Sequence, residues 1–136
     1  MNVNWEGFLP FRGEVIVIED DPTLQSLMTD IMDEMGAKTV PFATADDALT
    51  YLLGAHGECA LVIADYGVPG QIQGIEFIEM VTGRWPHIGA ILTSGYLIES
   101  TEVPAQTIYL HKPWSIDELV TAVAELLQPD KPISKR

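Results

Sequence analysis

Cysteine is almost absent from this sequence, because Cys59 is the only one among 136 residues. No disulfide can therefore close within the chain, and a lone cysteine beside an apolar run is typical of an inert core thiol in a reducing compartment. Long apolar stretches are also missing, since none approaches the length of a membrane span. Residues 1–11 lack the basic and apolar regions of a secretory signal. These absences predict a soluble cytoplasmic protein.

Basic residues are few. Seven lysines and arginines stand against 20 aspartates and glutamates, and the formal net charge is −13. Such a chain repels a phosphate backbone, so nucleic acid is not expected as a direct partner. The same acidic excess suits a site that holds a divalent cation. With 47% hydrophobic residues, the chain can fill the core of one domain.

Short apolar runs alternate with helical patterns along the chain. The predicted strands are Glu14–Ile18, Lys38–Phe42, Ala60–Ala64, Ile88–Thr93 and Thr107–His111. Helices are predicted from Pro22 to Gly36, after Thr44, from Ile75 to about Thr82, and after Ser115, where residue patterns indicate caps and apolar faces. Strands that alternate with helices predict a doubly wound α/β fold with a parallel sheet.

The crossover between the fourth and fifth predicted strands departs from this alternation. Gly95 and Pro104 leave little room for a helix between Thr93 and Thr107, and no 3.6-residue pattern occurs there. We expect a short or irregular fourth helix. Residues 14–128 form the predicted domain. Residues 1–13 are predicted as an irregular leader, whose large apolar side chains favour packing on the domain or a partner, and residues 129–136 as a polar tail.

Polar residues follow four of the five apolar runs. They are Glu19 and Asp20 after the first predicted strand, Asp65 after the third, Thr93 after the fourth and Lys112 after the fifth. Right-handed crossovers bring the carboxyl ends of parallel strands to one edge of the sheet, where open α/β sheets bind ligands. Neighbouring strands lie about 5 Å apart, so a short hydroxyl reaches Asp65 from the next strand. Only a long side chain such as that of Lys112 reaches it from two strands away.

Three carboxylates at one edge repel one another. Two unit charges 5 Å apart cost about 3 kcal/mol at an effective dielectric near 20. Lys112 offsets one charge, and Mg²⁺ with oxygen ligands would offset the rest, with the carbonyl of Gly67 as a further candidate ligand. A carboxylate beside Mg²⁺, a hydroxyl and a lysine suits phosphoryl transfer, which depends on positioning and charge neutralisation.

The order and type of these residues resemble the response-regulator receiver domain of bacterial two-component signalling, from Glu14 to about Gln128. The resemblance implies a flavodoxin-like, five-stranded parallel sheet of order 2-1-3-4-5 with helices on both faces. It also implies that Asp65 accepts a phosphoryl group from a sensor histidine kinase or a histidine phosphotransfer protein. Phosphorylation would then switch contacts with an unknown downstream protein.

The resemblance further implies a role for each matching residue. Mg²⁺ would be held by Glu19, Asp20, Asp65 and the Gly67 carbonyl. Thr93 and Lys112 would bind the phosphoryl group. Tyr109 matches the aromatic switch position of the family, although packing in the core explains a tyrosine there equally well.

Several residues depart from the family pattern. Glu19 stands where the family often has aspartate. The shortened crossover puts in doubt the usual output surface of helix four, strand five and helix five. Gly67 and Gly95 flank the site at positions where many members carry larger side chains. We expect these glycines to leave an attacking water unhindered but unoriented. The lifetime of the phosphorylated form therefore stays open.

Other interpretations remain open. Taken singly, Glu19 and Asp20 suit a helix N-terminus and Asp65 suits a turn, but these explanations do not account for their joint placement. We expect a stand-alone receiver rather than a turnover enzyme on an external substrate. One rival is a receiver-like interaction module that is never phosphorylated. Another is an aspartate-nucleophile phosphatase of the dehalogenase type, against which Gly67 argues, because those enzymes carry a second aspartate at that position.

Overall fold

Strands and helices alternate along most of the chain. A computed structural model describes residues 5–9, 12–54 and 58–135. The elements within these ranges are β1 (Trp5–Glu6), β2 (Glu14–Ile18), α1 (Pro22–Glu34), β3 (Lys38–Phe42), α2 (Ala45–Leu53), β4 (Cys59–Asp65), α3 (Gly74–Arg84), β5 (Gly89–Ser94), β6 (Thr107–His111), α4 (Ile116–Leu127) and β7 (Ser134–Lys135). None of these helices is both long and apolar enough to cross a bilayer.

Five strands form one parallel sheet in the order β3-β2-β4-β5-β6. This order is the predicted 2-1-3-4-5 arrangement, so the flavodoxin-like, doubly wound fold is confirmed. The register aligns the carboxyl ends of the strands, since Ile18 lies opposite Ala64 and Asp65 lies opposite Thr93. Side chains that follow these strands therefore start from the same edge.

The sheet separates two apolar layers. Alternate residues of each strand face opposite sides, so Val15 and Val17 pack in the layer of α1 and α4, whereas Ile16 and Ile18 pack in the layer of α2 and α3. The inner strands are buried on both faces, which explains their continuous apolar runs. Cys59 is buried at the start of β4, and burial raises the pKa of its thiol to about 11.

Capping residues set the starts of three helices as the sequence predicts. Asp21 accepts hydrogen bonds from the backbone of the first turn of α1, and Thr44 accepts one from the backbone of α2. Ser115 and Glu118 form a full capping box at α4. The structure extends α3 to Arg84, two residues beyond the predicted end.

The crossover from β5 to β6 contains no helix over residues 95–106, which confirms the predicted irregular segment. A turn forms where the backbone of Glu102 donates to the carbonyl of Glu99. Tyr96 and Leu97 at its start are 70% and 87% exposed. The loop that leads to β6 therefore displays two large side chains to solvent.

The two ends of the described chain pair with each other. Strands β1 and β7 are antiparallel, and Trp5 donates a hydrogen bond from Nε1 to Asp117 on α4 at 2.9 Å. Trp5 and Phe8 pack against the core layer of α1 and α4, so these leader residues pack on the domain. The prediction of an irregular leader was wrong for Trp5 and Glu6, which form β1, and the predicted polar tail contains the short strand β7. Phe11, also expected to pack, lies outside the described residues.

Candidate functional site

Four strands end at one edge of the sheet, and each places a polar residue there. Glu19 and Asp20 follow β2, Asp65 ends β4, Thr93 lies near the end of β5, and Lys112 follows β6. The structure brings all five together, as their common edge predicts. Their positions are set by a buried sheet rather than by a mobile loop, so the side chains start from a rigid support.

Three carboxyl groups form an acidic cluster. One oxygen each of Glu19, Asp20 and Asp65 lies within 4.8 Å of the others. Glu19 and Asp65 are buried, whereas Asp20 is exposed. The cluster is therefore open to solvent on the side of Asp20.

Lys112 joins two of these carboxylates. Its Nζ lies 2.9 Å from Oε1 of Glu19 and 3.1 Å from Oδ1 of Asp65. Burial by itself lowers the pKa of Lys112, but hydrogen bonds and charge from Glu19 and Asp65 outweigh burial and raise that pKa above its usual value. The ammonium group therefore stays charged at neutral pH.

Glu19 is the most buried member of the cluster. Burial raises the pKa of its carboxyl group above the usual value, and the charge of Asp65 acts in the same direction. Hydrogen bonds from Lys112 and from the backbone N–H of Asp21 oppose this rise without cancelling it. Gln25 on α1 holds the backbone at this point, since its side chain donates to the carbonyl of Glu19 at 3.0 Å. Sequence reasoning missed Gln25, because a glutamine in the second turn of a helix carries no site signal.

Thr93 contacts the same oxygen of Asp65 that Lys112 contacts. Its Oγ1 donates to Oδ1 of Asp65 at 3.4 Å. Its carbonyl accepts a hydrogen bond from the backbone of Tyr66 at 2.8 Å, which ties the start of the next loop to β5. Oδ1 of Asp65 thus has two side-chain partners, Thr93 and Lys112.

The glycines beside the site leave free space. A methyl group added at Gly67 or Gly95 would meet no other atom within 4 Å. Gly74 is the opposite case, because a methyl group there would overlap the backbone carbonyl of Asp65. The start of α3 therefore packs directly under Asp65, while the mouth of the site stays wide.

Tyr109 lies on β6 and is half-buried. Its hydroxyl donates a hydrogen bond to the carbonyl of Tyr96 at 2.7 Å. Nδ1 of His111 lies 3.0 Å from the hydroxyl oxygen of Tyr109. Because a hydroxyl donates only one hydrogen, the His111 contact requires Nδ1–H to donate to Tyr109. Tyr109 therefore attaches the irregular crossover to the edge strand, and its role as a switch stays a prediction.

The donor set fits a hard divalent cation. Three carboxylates with a single neighbouring ammonium group leave an excess of two negative charges, and every candidate ligand atom is oxygen. Mg²⁺ prefers such ligands and needs only one or two carboxylates, because it keeps several waters. The Gly67 carbonyl as a further ligand stays a prediction.

The sequence matches a known protein family over most of its length. The family model described as "Response regulator receiver domain" matches residues 15–124. The hydrogenase transcriptional regulatory protein HoxA of Cupriavidus necator is 29% identical over 122 residues, which cover 86% of this chain and 24% of that protein. The nitrogen assimilation regulatory protein NtrX of Azorhizobium caulinodans is 22% identical over 120 residues, covering 85% of this chain and 26% of that protein. The chain spans about a quarter of these two relatives.

Solved structures resemble the fold over nearly the same region. A response regulator receiver protein from Sinorhizobium medicae has a TM-score of 0.79 and 18% identity, covering 85% of this chain and 94% of that one. The response regulator protein TrrA of Thermotoga maritima, in complex with Mg²⁺-BeF, has a TM-score of 0.71 and 25% identity, covering 85% of this chain and 99% of that one.

Proposed function

Because the chain belongs to the response regulator receiver domain family, we propose that it accepts a phosphoryl group on Asp65 within a two-component phosphorelay. The donor is a phosphohistidine of a sensor histidine kinase or a histidine phosphotransfer protein. The observation that carries the proposal is the 3.1 Å contact between Lys112 Nζ and Asp65 Oδ1, beside three clustered carboxylates. This arrangement combines a nucleophile with a fixed positive charge where negative charge develops.

The reaction follows from the contacts of Asp65. Lys112 and Thr93 both contact Oδ1, so Oδ2 is the attacking atom. An oxygen–phosphorus bond forms at Asp65 as the phosphorus–nitrogen bond of the donor breaks, and the released imidazole takes a proton from water. The ammonium of Lys112 offsets charge on the phosphoryl oxygens, and the hydroxyl of Thr93 donates a hydrogen bond to one of them.

Glu19, Asp20 and Asp65 would hold Mg²⁺, with the carbonyl of Gly67 as a fourth ligand. When bound, Mg²⁺ supplies positive charge that offsets the phosphoryl oxygens. The Thermotoga maritima neighbour, which was solved in complex with Mg²⁺-BeF, supports a Mg²⁺ site in this fold.

A groove next to the site suits the donor protein. It has a volume of about 460 Å³ and runs between α1 and the segment that follows β6. Its lining residues are Leu24, Leu27, Lys112, Pro113 and Trp114. Apolar side chains one helical turn apart beside a catalytic lysine favour an amphipathic helix that carries the phosphohistidine.

We assign no turnover of an external substrate to this chain. After transfer, Asp65 loses its phosphoryl group to water, and in the interval the chain contacts a downstream protein. We place this reaction in the cytoplasm of a bacterium, since the relatives named above are bacterial regulators. Activities that those longer proteins carry outside the matched region are not assigned to this chain.

Incubation with Mg²⁺ and acetyl phosphate tests the proposal by intact-protein mass spectrometry. We expect a gain of one phosphoryl group, which is lost in Asp65→Asn and in excess EDTA. Asp130→Asn, a matched change at an exposed aspartate of the tail, should gain the group as the wild type does. An unchanged mass would contradict the proposal in favour of an interaction module, and sustained hydrolysis of a phosphate monoester would contradict it in favour of a phosphatase.

A further inference from the structure

The loop between β4 and α3, residues 66–73, carries Gly67 past the site. It is held at its start by the hydrogen bond from Tyr66 to the carbonyl of Thr93. It is held at its end by the close packing of Gly74 against Asp65. Between these ends, a side chain from outside the site provides a third attachment.

That side chain is Asp46, in the first turn of α2. Its Oδ1 accepts a hydrogen bond from the backbone of Ile72 at 3.1 Å, and its Oδ2 accepts one from the backbone of Gln71 at 3.3 Å. Gly70 approaches so closely that a methyl group there would lie 2.6 Å from Oδ1. Gly70 also has a φ of +100°, a conformation that favours glycine. One carboxylate thus contacts three consecutive residues of the loop.

Asp46 is not needed to cap its own helix. Thr44 is the cap residue of α2 and accepts the hydrogen bond from the backbone of Asp47. The carboxylate of Asp46 instead bonds residues that follow it by 25 and 26 positions. Asp47 has the same charge in the same turn, so a general interaction with the helix dipole does not distinguish the two residues.

We propose that Asp46 is a positioning residue for the metal side of the site. By holding residues 70–72, it limits the positions open to Gly67, whose carbonyl is the proposed fourth Mg²⁺ ligand. Hydrogen bonds from backbone N–H groups to a carboxylate are stronger than neutral ones, which suits a fixed attachment. A loop held in advance loses less freedom when an ion binds, so the contact raises affinity for Mg²⁺. This inference rests on the function proposed above.

The test measures Mg²⁺ affinity by isothermal calorimetry, without a phosphodonor. Mutation of residues that orient metal ligands without binding the metal typically lowers metal affinity 10- to 100-fold. We expect Asp46→Ala to lower Mg²⁺ affinity on the order of 10-fold. Asp46→Asn keeps one carbonyl acceptor and should lose less. Asp47→Ala removes the same charge from the same turn and should bind Mg²⁺ as the wild type does.

A rate measurement separates positioning from general damage. With acetyl phosphate as donor, Asp46→Ala should need about 10-fold more Mg²⁺ for half-maximal rate, while the rate at saturating Mg²⁺ stays unchanged. Gly70→Ala should shift the Mg²⁺ requirement in the same direction. Gly36→Ala, at a φ of +84° with open space around it, is the control for backbone strain alone.

Two results would overturn the inference while leaving the proposed function intact. One is wild-type Mg²⁺ affinity in both Asp46→Ala and Asp46→Asn. The other is an equal loss in Asp47→Ala, which would assign the effect to charge at a distance. Failure of the wild type to bind Mg²⁺ at all would overturn the proposed function as well, so the two failures are distinguishable. If Asp46→Ala does not fold, Asp46→Asn and Gly70→Ala still decide the matter.

Discussion

Lys112 decides the charge balance of the site. It contacts Glu19 and Asp65 but leaves Asp20 without a matching positive charge among the described residues. The protein side chains of the site by themselves therefore carry two uncompensated negative charges at one edge of the sheet. Such repulsion costs stability, and proteins commonly retain such a cost where binding or chemistry requires it.

Asp20→Asn tests this balance at the residue scale. Removing one of three like charges should stabilise the metal-free protein by about 1 kcal/mol. This is well below the repulsion energy of about 3 kcal/mol between two charges 5 Å apart, because Asp20 is exposed to solvent. The measurement is urea unfolding in EDTA. The same variant should lose most of the stabilisation that Mg²⁺ gives the wild type.

Asp130→Asn is the matched control for Asp20→Asn, since it removes one exposed carboxylate far along the chain from the cluster. It should leave the free energy of unfolding in EDTA nearly unchanged. If Asp20→Asn unfolds at the same urea concentration as the wild type, or at a lower one, repulsion within the cluster is not a significant cost.

The side chains that meet at the site could be predicted from the sequence because each ends a strand. Asp65 and Lys112 follow apolar runs, and parallel strands place their carboxyl ends together. Gln25 and Asp46 could not be predicted in this way. Each bonds backbone atoms from within a helix, and Asp46 reaches a loop more than 20 residues away.

Elements were predicted best where local signals were strong. The bounds of β3 and β6 agree with the prediction, and caps at Asp21, Thr44 and Ser115 mark three helix starts. The end of α3 was placed too early, because no glycine stop follows its last turn. Strands β1 and β7 have two residues each, too few for any periodic pattern, and depend on pairing across the whole chain.

The groove beside α1 yields a prediction at the element scale. Trp114→Ala should slow transfer from a phosphohistidine protein on the order of 10-fold, because tryptophan side chains commonly dominate binding at such contacts. Phosphorylation by acetyl phosphate should be unchanged, since a small donor needs no groove. Stopped-flow or quenched-flow transfer rates with both donors provide the measurement.

Trp85→Ala is the matched control for the groove. Trp85 follows the last turn of α3, where Arg84 stacks over its ring, and does not line the groove. Its substitution should leave both donor rates near those of the wild type. A Trp114→Ala variant that slows both donors equally would indicate damage to the site instead of lost docking.

At the scale of the whole molecule, one sheet supports both the site and the surfaces around it. The side chain of Gln128, just after α4, donates hydrogen bonds to the carbonyls of Gly7 and Lys131 and accepts one from the backbone N–H of Leu9. These bonds connect the two ends of the described chain to the end of α4. The helix-free crossover before β6 exposes Tyr96 and Leu97. The segment before β6 therefore lacks a helix, although the five-stranded sheet has the predicted order.

The central claim is that acidic, hydroxyl and ammonium side chains from four strands form one phosphoryl site at Asp65. A crystal structure of the protein with Mg²⁺ and beryllofluoride tests it most directly. We predict beryllium bonded to Asp65, one fluoride within hydrogen-bonding distance of Lys112 Nζ, another near Thr93 Oγ1, and the metal on Glu19, Asp20 or both. Beryllofluoride bound elsewhere, or not bound at saturating concentrations of both ions, would contradict the account.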